Sequence, residues 1–198
     1  LACNGKQAAE WPGVNELLKE AELQSVPKAH VAVLSGEDFD PAHGEEGAKG
    51  EPKRHTIWGE LAWQLGGQKG YDILRKNDEL RSAPSTKKLE EVLILNDANL
   101  ILIDEALRFL TRSKTIELGI EGEKTSLAAQ TLEFFRALTE AVSNTPKAAL
   151  VATLQASTIE MAREDETDYW RIVEIFKRLG KPMRLAEAEE IYEIVKRR

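Results

Sequence analysis

The sequence predicts an α/β fold, a mostly parallel sheet in a three-layer arrangement with helices, and three observations carry that prediction. Apolar runs rich in β-branched residues stand at 30–36, 98–104 and 148–154. Segments with helical apolar spacing alternate with them, as in strand-helix-strand units. The middle run, Leu100-Ile101-Leu102-Ile103, is apolar at every position, which is the pattern of a strand buried on both faces of a parallel sheet. Asp104 and Glu105 follow directly, at the strand end where open α/β sheets hold their ligands.

Each element has its own warrant. After Trp11-Pro12-Gly13, Val14, Leu17, Leu18, Ala21 and Leu23 recur at roughly helical spacing as far as Pro27, predicting a short amphipathic helix. His30-Val31-Ala32-Val33-Leu34-Ser35 is the first strand, closed by Gly36. Residues 37–54 hold Asp40-Pro41 and three glycines without periodicity, so an exposed loop is expected. Thr56 should cap a helix through Ile57, Trp58, Leu61, Ala62 and Leu65 that stops at Gly66-Gly67, with Glu60 on it solvated.

A further helix is predicted over 71–80, broken before Ala83-Pro84-Ser85. Ser85 or Thr86 then opens a segment bearing Leu89, Val92, Leu93 and Leu95, and Asn96-Asp97 turns the chain into the central strand. Beyond Glu105, residues 106–110 read as one or two helical turns and 111–124 as a polar loop. Ser126 is the expected N-cap of a helix carrying Leu127, Thr131, Phe134, Phe135, Leu138 and Val142. The third strand ends among Thr153, Gln155 and Ser157.

From Thr167 a helix is marked by Tyr169, Trp170, Val173, Phe176 and Leu179 and ends at Gly180. A last helix is expected over 187–198, where the terminal Lys196-Arg197-Arg198 suits a helix C-terminus electrostatically and needs no ligand. The whole reads as one unit over 1–198, with the sheet-forming core at 28–158 and a helical segment at 159–198.

Composition narrows the function classes. With 42% hydrophobic and 31% charged residues in 198, the chain is of globular composition. No apolar run approaches the roughly 20 residues of a membrane-spanning helix. The formal charge of −7 argues against a general nucleic-acid-coating role. The single cysteine, Cys3, forms no internal disulfide or thiolate metal site, so a reducing, cytoplasmic setting is expected. The start, Leu1-Ala2-Cys3-Asn4, has neither Met nor signal-peptide regions and reads as a cut in a longer protein.

The chemistry centres on the acidic pair. An apolar strand ending in Asp-Glu is the pattern of a Walker B motif, in which Asp helps hold Mg²⁺ on nucleotide phosphates and Glu activates the attacking water. The same residues also suit a core strand that happens to be followed by an acidic loop. Thr153 is the second clue, since a polar group beside such a strand can position water or sense a γ-phosphate; as a β-branched residue it is equally a good strand former. The companion phosphate loop, Gly-x-x-x-x-Gly-Lys-Ser/Thr, does not occur in the sequence. His30, His43 and His55 lack zinc-type spacing, and no Gly-x-Ser-x-Gly elbow is present.

Four segments and the chain end add a resemblance. Val31 to Gly36, Thr56-Ile57-Trp58-Gly59-Glu60-Leu61-Ala62-Trp63-Gln64-Leu65-Gly66-Gly67, Leu100 to Leu110, Leu150 to Leu154 and Glu189 to Arg198 resemble, in that order, a family of large prokaryotic ATP-binding proteins catalogued as domain of unknown function 499. The Trp-Gly-Glu-x-Ala-Trp-Gln-Leu-Gly-Gly block is the most specific part. That family is similar to AAA+-type P-loop ATPases. The resemblance implies a P-loop NTPase-like fold whose Walker A strand and loop lie upstream of this chain. It implies ATP and Mg²⁺ as cofactors, Asp104 as the Mg²⁺-associated acid, Glu105 as the catalytic base and Thr153 as the sensor. Gln155 stands where a proline is expected in relatives. Homo-oligomer formation and an association with DNA-modification or phage-defence proteins are implied as well, and no membrane.

Two functions thus follow as expectations. One is the Walker B and sensor part of an ATPase, inactive alone for want of the phosphate cradle. The other is a noncatalytic α/β interaction module that keeps Asp104 and Glu105 for loop structure. Arg108, Arg112 and Arg163 follow the two candidate site strands, as charge-stabilising fingers would, yet their type and position suit a solvated surface.

Overall fold

The computed structural model describes residues 13–120, 122–154 and 163–181. In chain order these form α1 (Val14–Glu20), β1 (His30–Ser35), α2 (Ile57–Glu79), α3 (Thr86–Leu93), β2 (Asn99–Asp104), α4 (Ala106–Ser113), β3 (Glu117–Ile120), β4 (Glu123–Ser126), α5 (Leu127–Asn144), β5 (Ala148–Ala152) and α6 (Arg163–Leu179). The expected last helix, with Gln155 and Ser157, lies outside the described residues.

β1, β2 and β5 form a parallel sheet in the order β1-β2-β5, with Ser35 paired to Asp104 and Ile103 to Ala152. The central position of β2 matches the expectation from its apolar run. Its burial on both faces does not. Ala32, Leu34, Ile101 and Ile103 are 0–3% exposed on one face, beneath α2, α3, α4 and α5. On the other face Val31, Val33 and Val151 are 42–53% exposed and Leu100 and Leu102 only half-buried. Among the described residues, then, the helices cover one face.

Topology accounts for this. The chain steps in one direction across the sheet, from β1 to β2 to β5, and right-handed crossovers of a chain that never reverses all fall on the same side. There the core is aromatic: Trp58 stacks on Phe134, Phe134 on Phe135 and Phe135 on Phe176, each pair with centroids 5.5 Å apart.

The α2 span is two arms. Gly67, at φ 54 and ψ −141, breaks it, and 22 residues of straight helix would separate Thr56 from Asp78 by roughly 33 Å at 1.5 Å per residue. Instead the Thr56 hydroxyl donates to Asp78 Oδ1 at 2.6 Å. The arms 57–66 and 68–79 therefore fold back on each other, as the Gly66-Gly67 stop predicts.

This hairpin explains the specific block residue by residue. Thr56 caps the first arm by accepting from Gly59 N at 3.1 Å. A Cβ on Gly59 would sit 2.1 Å from Asp78 Oδ1, so only glycine leaves room for that buried carboxylate. Asp78 also accepts from His55 N at 3.0 Å and from the Tyr71 hydroxyl at 3.0 Å. A Cβ on Gly70 would meet Ala62 O at 2.2 Å, which fixes the close crossing of the arms.

Gln64 does something else. Its amide accepts from Val33 N at 2.7 Å and donates to Val33 O at 2.9 Å, sealing the outer edge of β1 as a strand would. Glu60, expected in solvent, is only 14% exposed at its side chain and accepts from Arg54 Nε at 2.8 Å and from Gln64. Arg54 in turn lies over the Trp63 ring at 5.6 Å. The block builds a scaffold that holds the β1 edge.

Two other expectations change. The loop 37–54 is partly structured, with a Glu45–Arg54 bridge and a turn in which Asp40 accepts from Ala42 N and His43 N. The hydrogen bond between the His43 ring and Asp40 Oδ2, at 2.9 Å, is the main cause that holds the Asp40 carboxyl down at about 2. The polar stretch 111–124 is no plain loop: α4 runs to Ser113, and β3 and β4 pair antiparallel. Alternation over so short a hairpin leaves little periodic signal. Ser85 and Ser126 cap α3 and α5 as expected, and α6 starts at Arg163, four residues before the predicted Thr167.

Candidate functional site

β2 delivers Asp104 to the C-terminal edge of the sheet, and the register of β5 sets Thr153 beside it. Thr153 N donates to Ile103 O at 2.8 Å, and Thr153 O accepts from Ala106 N at 3.3 Å. The side chain follows: the Thr153 hydroxyl donates to the Asp104 carboxylate and accepts from Glu105 N at 3.0 Å. One threonine thus orients both acidic positions.

Glu105 turns the chain from strand to helix within one residue. It adopts the left-handed conformation, φ 52 and ψ 46, at the N-cap position of α4, and its side chain makes no capping bond. That conformation costs a non-glycine residue roughly 1–2 kcal/mol, so the surroundings must enforce it. Gly36 helps to do so: its N–H donates to Asp104 O at 2.8 Å, and a Cβ there would lie 2.1 Å from Glu105 O. The ends of all three strands converge at this point. Asp104 remains exposed and Glu105 half-buried.

The expected residues fall into two groups. Asp104, Glu105 and Thr153 are brought together. Arg108 stands one turn into α4, exposed, and donates to Glu37 Oε2 at 2.6 Å; that bond holds its guanidinium above the ordinary arginine range. Arg112 is no free surface residue, because its Nη1 donates to the carbonyls of Gly36, Glu37 and Phe39. Arg163 opens α6, and its side chain lies outside the described residues.

Sequence reasoning missed Gly36, Glu37 and the role of Arg112. A Ser-Gly pair closing a strand was the available signal for the first; nothing in the spacing announced the other two. An open depression of about 510 Å³, lined by His30, Trp63, Gln64 and Lys69 among others, lies at the opposite, N-terminal end of β1 and takes no part in this site. Among the described residues no three His, Cys, Asp or Glu side chains gather as a metal cage. One exposed carboxylate beside a hydroxyl suits a cation whose other ligands come from phosphate and water.

Fold and site together define an α/β protein with a three-stranded parallel sheet, flanked by helices, and an acidic pair at the C-terminal end of its central strand. The chain belongs to the family described as the DUF499 N-terminal domain, whose model matches residues 14–191. No curated protein and no solved structure matches it. None of the described helices is long and apolar enough to cross a membrane.

Proposed function

We propose that this chain is the Walker B and sensor part of a P-loop, AAA+-like ATPase whose phosphate loop comes from a preceding segment of a longer protein. The observation that carries the reading is the meeting of Asp104, Glu105 and Thr153 at the end of the central parallel strand, where open α/β sheets bind ligands.

The vacant edge and face support it. β5 pairs only with β2 among the described residues, so its outer edge is open, whereas Gln64 closes the edge of β1. A strand added at β5 and joined onward to β1 would cross the sheet in the reverse direction. Right-handed connection would then lay its helix on the face of Val31, Val33 and Val151. The turn between that strand and helix would fall beside Asp104 and Thr153, and a helix N-terminus there is a ready phosphate site.

In this reading Asp104 would hold Mg²⁺, and Thr153 fixes the Asp104 carboxylate. Glu105 accepts the proton of the attacking water. The Mg²⁺ supplies charge neutralisation between the phosphates. A link to DNA modification or phage defence, and assembly with further copies, belong to the same proposal.

The test uses the longer protein. Glu105→Gln should still bind nucleotide while hydrolysis slows by about 10²–10⁴-fold. The chain of 198 residues alone should bind ATP weakly or not at all, which calorimetry checks. The competing reading is a noncatalytic module, favoured by the fact that Thr153 already bonds both acidic residues. Unchanged turnover in Glu105→Gln would remove Glu105 from the mechanism.

A further inference from the structure

One face of α4 is given over to the segment that follows β1. Glu105, Arg108, Phe109 and Arg112 stand at i, i+3, i+4 and i+7, which is one stripe of a helix. Each meets residues 36–39. Gly36 presses on Glu105 O, Arg108 pairs with Glu37 at 2.6 Å, and the Phe109 ring meets Phe39 edge-on at 5.8 Å. Arg112 Nη1 donates to Gly36 O at 3.1 Å, Glu37 O at 2.5 Å and Phe39 O at 3.2 Å.

Three carbonyls turned toward one point repel one another unless a donor-rich cation sits among them. The turn that aims them is itself fixed, by Phe39 N donating to Ser35 O and Asp38 N to Ser35 Oγ, each at 3.1 Å. Phe39 is 5% exposed, so the segment cannot relax outward cheaply. Arg112 therefore closes a ring: β1, its loop, α4 and the Glu105 turn become one rigid body.

We infer that Arg112 is a positioning residue for Glu105. It touches no reacting group. It holds residues 36–39 against α4, and Gly36 in turn keeps Glu105 in its left-handed conformation, with the N–H on Thr153. Arg108 and Glu37, exposed at 60% and 53%, add the outer half of the clamp and are screened by water, so the half-buried Arg112 is the stronger member.

The kinetic part rests on the ATPase reading, and the experiment separates the two. Arg112→Met keeps the stem and removes every donor, while Arg112→Lys restores a cation able to reach carbonyls. In the 198-residue chain, amide exchange at Glu105 should quicken about tenfold in Arg112→Met and return toward wild type in Arg112→Lys. In the longer protein, Arg112→Met should lower kcat about 10–100-fold with KM changed less than about twofold, as misplacement of a catalytic group does. Unaltered exchange at Glu105 overturns the inference whatever the turnover. Faster exchange in a longer protein that hydrolyses nothing upholds the positioning role and sinks the ATPase reading. Faster exchange with unreduced kcat upholds the positioning of Glu105 and sinks its assignment as the catalytic base.

Discussion

The Thr153 hydroxyl donates to the Asp104 carboxylate and so ties the end of β5 to the end of β2. Because the same oxygen accepts from Glu105 N at 3.0 Å, both its donor and one of its lone pairs are engaged within the protein. A side chain used in this way sets the carboxylate rotamer before any ligand arrives.

Replacing Thr153 by Val keeps shape and removes both bonds. Glu105 N–H and one Asp104 oxygen then lose their partner, at a cost of about 1–2 kcal/mol, measurable as a lower urea midpoint. Thr153→Ser keeps the hydroxyl and should recover most of that loss. If Thr153→Val is as stable as wild type while Thr153→Ser is not, the hydrogen bonds contribute nothing and β-branching alone explains the residue.

Gly59 offers a sharper test of the scaffold. Its missing side chain leaves the space taken by Asp78, whose Oδ1 would be 2.1 Å from a Cβ. Asp78 is 0% exposed and cannot retreat without abandoning Thr56, His55 N and Tyr71. Gly59→Ala should therefore destabilise by about 3 kcal/mol or more, although alanine is the better helix former by about 1 kcal/mol. A gain in stability would mean that the carboxylate is free to move.

The strands were legible because Val31, Ile101 and Val151 belong to runs whose composition suits a sheet, and Ser85, Thr56 and Ser126 announced their helices as caps do. That Asp104, Glu105 and Thr153 lie together was legible because strand ends gather in a parallel sheet. What could not be read depends on contacts between distant positions. Leu100 and Leu102 look buried in any window of sequence; that their face lacks a helix among the described residues follows from the direction in which the chain crosses the sheet. Glu60 looks solvated until Arg54 folds over it, and nothing in Arg112 itself tells of three carbonyls gathered 73 to 76 positions earlier.

Tyr71 provides a prediction at alkaline pH. Burial first, then the Asp78 charge and hydrogen bond, push its phenol well above the ordinary range. The fold thus favours the neutral phenol, so its contribution is fully present below the unfolded value near 10 and is lost as pH rises from there toward the folded pKa. Stability should fall over that window, and phenolate absorbance of the native protein should show one tyrosine resisting ionisation. Tyr71→Phe should cost about 1 kcal/mol at neutral pH and flatten the alkaline decline. An equally steep decline in Tyr71→Phe would assign it to another group.

The two faces of the sheet should respond differently to charge, and differently again in the longer protein. Val33 and Val151 are 52% and 53% exposed, whereas Ile101 is 0% exposed beneath the helices. In the 198-residue chain, Val33→Lys or Val151→Lys should change stability by no more than about 0.5 kcal/mol, the range of ordinary surface substitutions. Ile101→Lys would bury an unpaired ammonium and should prevent folding. If a preceding helix covers the open face, the two valine variants also bury an ammonium in the longer protein and destabilise it far more than they do the 198-residue chain. Urea unfolding of both lengths separates the cases. Equal tolerance in the two would leave that face uncovered and remove the argument that a strand-loop-helix unit completes the site from the β5 side.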